Sequence, residues 1–402
     1  MSQAIAKIVE GDLCVGCGAC ATMFVVPAAE MSLTPDGFLR PLQTRALTAD
    51  EARVFTRVCP GGHLAHQHRD ASFHALWGPV QFAGTGYATD QEVRFRGSSG
   101  GGLSALAIHL LESGAVQGVL HIAPGATAAF DNVAQISTTR ADVLRAAGSR
   151  YAPAAPLAKV HECLALPGLF AFIGKPCDVA ALRALGKERP EVAAKFPVLL
   201  SFMCAGTPGI KGTEAVVRQL GFEPGEVVRF RYRGNGWPGM ARAETADGRH
   251  AEMDYDRSWG QVLNRHLQFR CKICPDGTGE FADVSCADAW HADEKGYPLF
   301  TETDGRSLIL GRTGVGRQLV ADARQAGVLA SEPVSLDVVE RMQPYQAARK
   351  RALLSRLIGL RLAFRSVPAF RNFDLWKVAR TMPFKTQLRN AVGMWLRAVG
   401  GK

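Results

Sequence analysis

Residues 168–206 read GLFAFIGKPCDVAALRALGKERPEVAAKFPVLLSFMCAG. The apolar runs in GLFAFIGKPC and FPVLLSFMC have the length and continuity of strands buried on both faces. Each ends at a cysteine, Cys177 or Cys204, beside a Pro or Gly turn. Strand ends followed by such turns are where α/β proteins place working residues. Working outward, SALAIHLLESG reads as a helix closed by Gly114, and VQGVLHIAP as the strand after it. RADVLRAAGSR and AAPLAKVHECLAL read as helices, RSLILGRT as a strand and TGVGRQLVADARQAG as a helix. The alternation predicts an α/β (mixed α+β) domain over residues 81–335, with a hairpin over residues 225–255. Residues 1–80 form a loop-rich, cysteine-bearing segment that ends in the linker-like FHALWGPVQFAG. Residues 336–402 form a basic helical tail.

The chain has 402 residues, 47% of them hydrophobic, enough for a substantial core. No run of about 18 uncharged apolar residues appears, so a membrane span is not expected. The formal charge of +10 is concentrated at the end: Arg341 to Lys402 holds 14 Lys/Arg against one acid, Asp374. The body is therefore slightly acidic and carries no nucleic-acid motif, so no nucleic-acid partner is expected. The first residues, MSQAIAKIVEGD, lack the apolar region of a secretory signal. Ten cysteines in such a chain fit a reducing cytoplasm, where thiols serve metals.

Cys14, Cys17 and Cys20 form a C-x-x-C-x-x-C run, and Cys59-Pro60 supplies a fourth thiol. Successive tight turns aim three thiolates and several N–H groups at one centre, the arrangement a 4Fe–4S cluster needs. A zinc knuckle and disulfides are the alternatives. Cys177, Cys204, Cys271 and Cys274 make a second, irregularly spaced quartet, readable either as a second cluster or as buried structural cysteines. Cys286 is a spare thiol able to replace one ligand, and Cys163, in a helix-like stretch, is a core residue. Ser98, Ser99 and Gly100, Gly101 and Gly102 stand immediately before a helix. They read as a phosphate cradle or as a flexible loop. Clusters pass single electrons, so organic redox chemistry needs a two-electron collector, for which a flavin is the usual group.

With CVGCGAC, RVCPG, GSSGGGLSALAIHLLESG, GSRYAP, IGKPCDVAALRAL, SFMCAG, FRYRGNGWPG, CKICPDGTGEFADVSCADAW and GRSLILGRTGVG in that order, the chain resembles one family over roughly residues 10–320. This is the coenzyme F420 hydrogenase/dehydrogenase beta subunit family, whose relatives include 7-hydroxymethyl chlorophyll a reductase and ferredoxin-dependent divinyl chlorophyllide vinyl reductase. The resemblance implies two 4Fe–4S clusters and FAD, with electrons exchanged between a ferredoxin-like carrier or coenzyme F420 and an unidentified organic substrate. It implies that Ser149 and Tyr151 line the flavin with Ser98–Gly102, and that Lys175 neutralises a phosphate or the reduced ring. Asp276 and Asp283 would lie near cofactor or cluster, with a turn or cap role as the alternative. His63, Tyr151 and Asp276 are the candidate catalytic acids. Two other functions stand beside this one: an electron-transfer subunit without its own substrate, and a zinc-stabilised scaffold.

RKRALLSRLIGLRLAFRSVPAF predicts a basic amphipathic helix that Pro368 ends, and LWKVARTMPFKTQLRNAVGMWLRAVG repeats its mixture. Such helices pack on their own core with solvated charges, lie peripherally on anionic membranes, or dock an acidic partner such as ferredoxin.

Overall fold

The computed structural model describes residues 3–67, 69–125, 129–291 and 299–400. An eight-stranded sheet forms its centre. Its strands are β1 (Phe82–Ala88), β2 (Gly118–Pro124), β3 (Asn132–Ser137), β4 (Phe170–Gly174), β5 (Val198–Phe202), β6 (Val284–Asp288), β7 (Ser307–Gly311) and β8 (Leu329–Pro333). They lie in the order β8-β1-β7-β6-β5-β4-β2-β3. β2, β4, β5 and β6 are mutually parallel, and antiparallel neighbours flank them on either side. The expected mixed α/β class is therefore correct.

Both faces of the parallel strands are covered, which explains their unbroken apolar runs. Phe170 and Phe172 of β4 and Leu199 of β5 enter one core, and Ala171, Val198 and Leu200 enter the opposite one. Helix α1 (Gly102–Glu112) covers the second face through Leu106 and Ile108, and α3 (Gly314–Gln325) through Leu319. Helix α2 (Pro176–Glu188) covers the first face through Val179, Leu182 and Leu185.

The cysteine-bearing N-terminal segment shares that first core, with Ile5, Met23 and Phe55 packed together with Phe172 and Leu199. Each such fully buried side chain contributes about 1.5–3 kcal/mol, so residues 1–80 are not a free-standing ferredoxin-like unit. FHALWGPVQFAG is not a linker either: Trp77 is 1% exposed and packs with Leu308 and Val339. The expected hairpin at 225–255 is a three-stranded antiparallel sheet, Val227–Arg231, Ala241–Thr245 and His250–Met253.

After the short helix Leu336–Met342, the basic tail is three helices, α4 (Pro344–Leu362), α5 (Leu375–Ala379) and α6 (Phe384–Val399). α4 ends well before Pro368, at a turn in which Phe364 takes a φ of 55°. Ala369–Arg371 then pairs in parallel with His63–Ala65, fastening the tail to the N-terminal segment. No helix of the described residues is long and apolar enough to cross a membrane.

Candidate redox site

The first three cysteines sit on a coil tightened by Gly16 and Gly18, whose φ values of 74° and 83° belong to the left-handed region. Cys59 caps the C-terminal end of the helix Ala49–Val58. Burial raises the pKa of each of these thiols. Cys59 and Cys20 add to the rise at Cys17, Cys14 and Cys59 to that at Cys20, and Cys14 to that at Cys59, which reaches about 12. The quartet therefore shares one small volume, in which thiolates persist only against compensating positive charge.

The irregular second quartet also converges. Beyond burial, Cys177 responds to Cys204 and Cys274, and Cys204 to Cys271 and Cys274. Cys177 follows β4 into the N-terminus of α2, and Cys204 follows β5. Cys271 and Cys274 come from the turn at Phe269–Ile273. Among the described residues no group of three or more His, Cys, Asp or Glu is drawn tightly enough to hold a single metal ion.

Two side chains bind the quartets together. Gln268 donates to the Val15 carbonyl (3.2 Å) and the Cys271 Sγ (3.6 Å), and accepts from Arg40 (3.1 Å). Arg270, 1% exposed, donates to the carbonyls of Pro60 (2.8 Å), Gly61 (3.1 Å) and Ile273 (3.2 Å). Its charge lowers the pKa of both Cys59 and Cys274, against the larger effect of burial.

A third guanidinium reaches in from the tail. Arg349 of α4 donates to the carbonyls of Cys204 (2.8 Å) and Cys271 (2.9 Å). Burial works against its charge, and the thiols of Cys274, Cys204 and Cys271 with Tyr345 more than restore it. The hydrogen bonds of Arg270 and Arg349 end on backbone carbonyls and, for Arg349, the Gln346 amide oxygen, with no carboxylate partner. Buried cations in that state are stabilised by an anionic group, and a thiolate-held cluster is one.

A cavity of about 470 Å³ opens beside the second quartet, at the carboxyl ends of β4, β5 and β6. That is where parallel sheets bind ligands, and the volume suits an organic cofactor. One wall is the Ser98–Gly102 loop and the first turn of α1. Its cap, Gly101, lies in the left-handed region and has no side chain to cap with, and the Gly102 N–H donates instead to Ser307 Oγ (3.2 Å). Also in the lining are Lys175, which donates to Asp178 (2.8 Å), and Arg233, held bidentately by Asp288 (2.8 and 3.0 Å). Tyr255, Trp259 and Trp290 supply aromatic walls. Asp178 Oδ1 is buried with no hydrogen-bond partner, an acceptor waiting for a ligand donor. The same carboxylate acts on Cys17 and Cys177, so it lies between the cavity and both quartets.

Most of the expected cofactor residues line this cavity: Ser98, Ser99, Gly101, Gly102, Ser149, Tyr151 and Lys175. Ser149 donates to Ser98 (2.7 Å), and Arg233 ties Tyr151 (3.3 Å) to the Ser98 carbonyl (2.6 Å). Gly100 does not face the cavity, because a Cβ there would meet the backbone of Arg306 and Gly305 at 2.9 Å. A Cβ on Gly101 would meet the Val93 carbonyl at 2.5 Å. Close packing beneath the loop thus holds both glycines, and Gly101 also lines the cavity.

Asp276, Asp283 and His63 do not line the cavity, although Asp276 acts on the Cys274 thiol of the second quartet. Asp276 is buried away from the cavity and accepts from the N–H groups of Thr278 (3.1 Å), Gly279 (2.7 Å) and Glu280 (3.0 Å), an organiser of its turn. Asp283 accepts from Leu199 N (2.8 Å) and Thr313 Oγ1 (2.7 Å), a cap between strand and helix. His63 lies on the small strand paired with the tail, also outside the cavity. Tyr151 alone of the candidate acids reaches it. Burial alone pushes the Cys286 thiol to about 12, so it joins neither quartet and lies in the cavity wall on β6. Cys163 is a core residue as expected.

Sequence reading missed Arg233, Asp178, Asp288, Tyr255 and the α4 residues Tyr345 and Gln346, all at the cavity. The RYRGNGWPG segment carries Arg233, and its dense Gly–Trp–Pro turn was the available signal.

A mixed α/β sheet with convergent thiol quartets and a cofactor-sized cavity at its carboxyl edge defines the class. The chain belongs to the coenzyme F420 hydrogenase/dehydrogenase beta subunit family. The model of that beta subunit's N-terminal part matches residues 83–162, and that of its C-terminal part residues 168–336. The chain is similar to the coenzyme F420 hydrogenase subunit beta of Methanococcus voltae, 25% identical over 68% of this chain and 94% of that one. It is also similar to the F420-dependent formate dehydrogenase 1 subunit beta of Methanococcus maripaludis, 25% identical over 62% of each chain. A solved chain from the F420-reducing NiFe hydrogenase complex of Methanosarcina barkeri has a related fold, with a TM-score of 0.54 and 20% identity. The match covers 72% of this chain and 96% of that one. The first quartet and residues 337–402 lie outside both family models.

Proposed function

We propose that this chain is a cytoplasmic iron–sulfur flavoprotein oxidoreductase. Cys14, Cys17, Cys20 and Cys59 would hold one 4Fe–4S cluster, and Cys177, Cys204, Cys271 and Cys274 a second. FAD would occupy the cavity beside the latter. The observation that carries this reading is the pair of converging quartets bridged by the carboxylate-free Arg270, with the cavity adjoining only the second. When bound, such clusters carry single electrons and a flavin pairs them for two-electron chemistry. The protein's own part is to hold and neutralise. The start of α1 and Lys175 would face a phosphate, Arg233 fixes Tyr151, and the Asp178 oxygen would accept from a ligand N–H. Electrons would come from a ferredoxin-like carrier or coenzyme F420 and end on an organic substrate. Protein purified anaerobically is expected to carry about eight irons and one FAD per chain. About four irons would remove the second cluster, and colourless protein with stoichiometric zinc would overturn the whole reading.

That the relatives are named as subunits favours a second reading, an electron-transfer subunit with no substrate of its own. Co-purification of the tagged chain separates the two. A stable oxidoreductase partner, with no turnover by the isolated chain, supports the subunit.

Gly101→Val is expected to strip the flavin while leaving iron in place. The φ of 70° disfavours a β-branched residue, and the added Cβ meets the Val93 carbonyl, so the loop shifts away from the cavity. Flavin absorbance and iron content of the same preparation check this.

A further inference from the structure

The tail does two separate things with its charge. Arg349, Lys350 and Arg356 of α4 turn inward, to the Cys204 and Cys271 carbonyls, Glu280 and the Lys272 carbonyl. They are not available to any partner. α6 presents a different face. It packs on α4 in parallel, as the contacts Ser355–Gln387 and Arg356–Asn390 show, with Met394 and Ala398 buried.

Away from that seam α6 exposes Phe384, Leu388, Val392, Trp395, Leu396 and Val399, between 39% and 78% accessible. At about 100° per residue these six fall within an arc of about 120° and run along about 22 Å of helix. Lys385 falls within that arc near its edge, Arg389 lies about 20° beyond the edge and Arg397 about 100° beyond it, all three exposed. Leu362 and Phe364, 62% and 98% exposed, end α4 at the same end as Leu396 and Val399, and Trp376 on α5 is 69% exposed. Among the described residues no carboxylate pairs with Lys377, Arg380, Lys385, Arg389 or Arg397, and the region's one acid, Asp374, is engaged by Arg69.

The geometry points to this α6 face as a peripheral docking surface for an anionic lipid bilayer. An apolar stripe carrying Trp, bordered by cations, is matched by an acyl boundary beneath acidic headgroups. A second copy on the same face would set one basic rim against another, with no acids to pair them. A soluble acidic carrier would answer the charges but leave six large apolar side chains without a counterpart.

The test uses the full-length holoprotein and sedimentation with vesicles. Protein is expected to sediment with mixed phosphatidylglycerol–phosphatidylcholine vesicles and to stay in solution with phosphatidylcholine alone. The triple variant Leu388→Ser, Val392→Ser, Leu396→Ser removes only exposed apolar side chains, and Lys385→Glu with Arg389→Glu reverses only the adjoining cations. Each should weaken binding roughly tenfold or more, with iron content and elution volume unchanged. Trp395 emission should shift to the blue on anionic vesicles. Failure of the parent protein to bind anionic vesicles, or undiminished binding by both variants, overturns the proposal. So does a stripe-dependent dimer, or a stripe-dependent complex with acidic ferredoxin, in protein that ignores vesicles. The readout does not depend on the cofactors, so colourless protein would refute the redox reading and leave this one standing.

Discussion

Arg270→Met is expected to lose most of its iron from both sites, together with on the order of 3–5 kcal/mol of stability. The side chain is buried, and its three carbonyl partners come from the Cys59-Pro60 loop and the Cys271–Cys274 turn. Removing the guanidinium leaves those acceptors buried without donors, at about 1–3 kcal/mol each, and deletes the cation nearest Cys59 and Cys274. Arg270→Lys keeps the charge but not the planar fork, so it should recover only part of the loss. Urea unfolding under anaerobic conditions, with iron counted in parallel, checks both. An unchanged midpoint and full iron in Arg270→Met would show that the quartets do not depend on this bridge.

The second large effect concerns acid. Glu280 is fully buried and takes hydrogen bonds from Lys350 Nζ (2.5 Å) and His66 Nε2 (2.9 Å). Burial alone would raise its pKa, but Lys350 and His66 outweigh that and hold it at about 2. A carboxylate depressed in the folded state contributes stability that is fully present above its unfolded pKa, near 4.5. That contribution, on the order of 3 kcal/mol, is lost as pH falls from there toward about 2. Glu280→Gln should therefore be destabilised at neutral pH by about 3–5 kcal/mol, because Lys350 is left buried and unpaired. Its deficit relative to the parent should shrink as pH drops below 4.5. Urea midpoints for both proteins across that range measure the difference. A constant deficit would place the stabilising charge elsewhere.

The two effects mark where sequence reading succeeds and where it stops. The triple-cysteine loop, the strands ending at Cys177 and Cys204, and the helix after Ser98–Gly102 are local patterns, and all are visible in the chain itself. Glu280 and its histidine partner are 214 residues apart, and Arg270 meets Pro60 across 210, so no spacing rule announces either contact. Asp276 organises a turn, a role that a carboxylate two to four residues before free N–H groups takes as readily as it takes chemistry, so its residue type alone does not tell the two apart. The tail misled in another way. A basic amphipathic pattern records that charges and apolar groups alternate around a helix, but not which charges face inward. Arg349 and Leu353 are both buried on α4.

Arg349 locks the Cys271 carbonyl from 78 residues downstream. While the chain leaves a ribosome, the loop bearing Cys271 and Cys274 thus exists for the synthesis time of that interval without its clasp. A message truncated before α4 would yield a protein with every predicted cysteine ligand but without the Arg349 contacts to the Cys204 and Cys271 carbonyls.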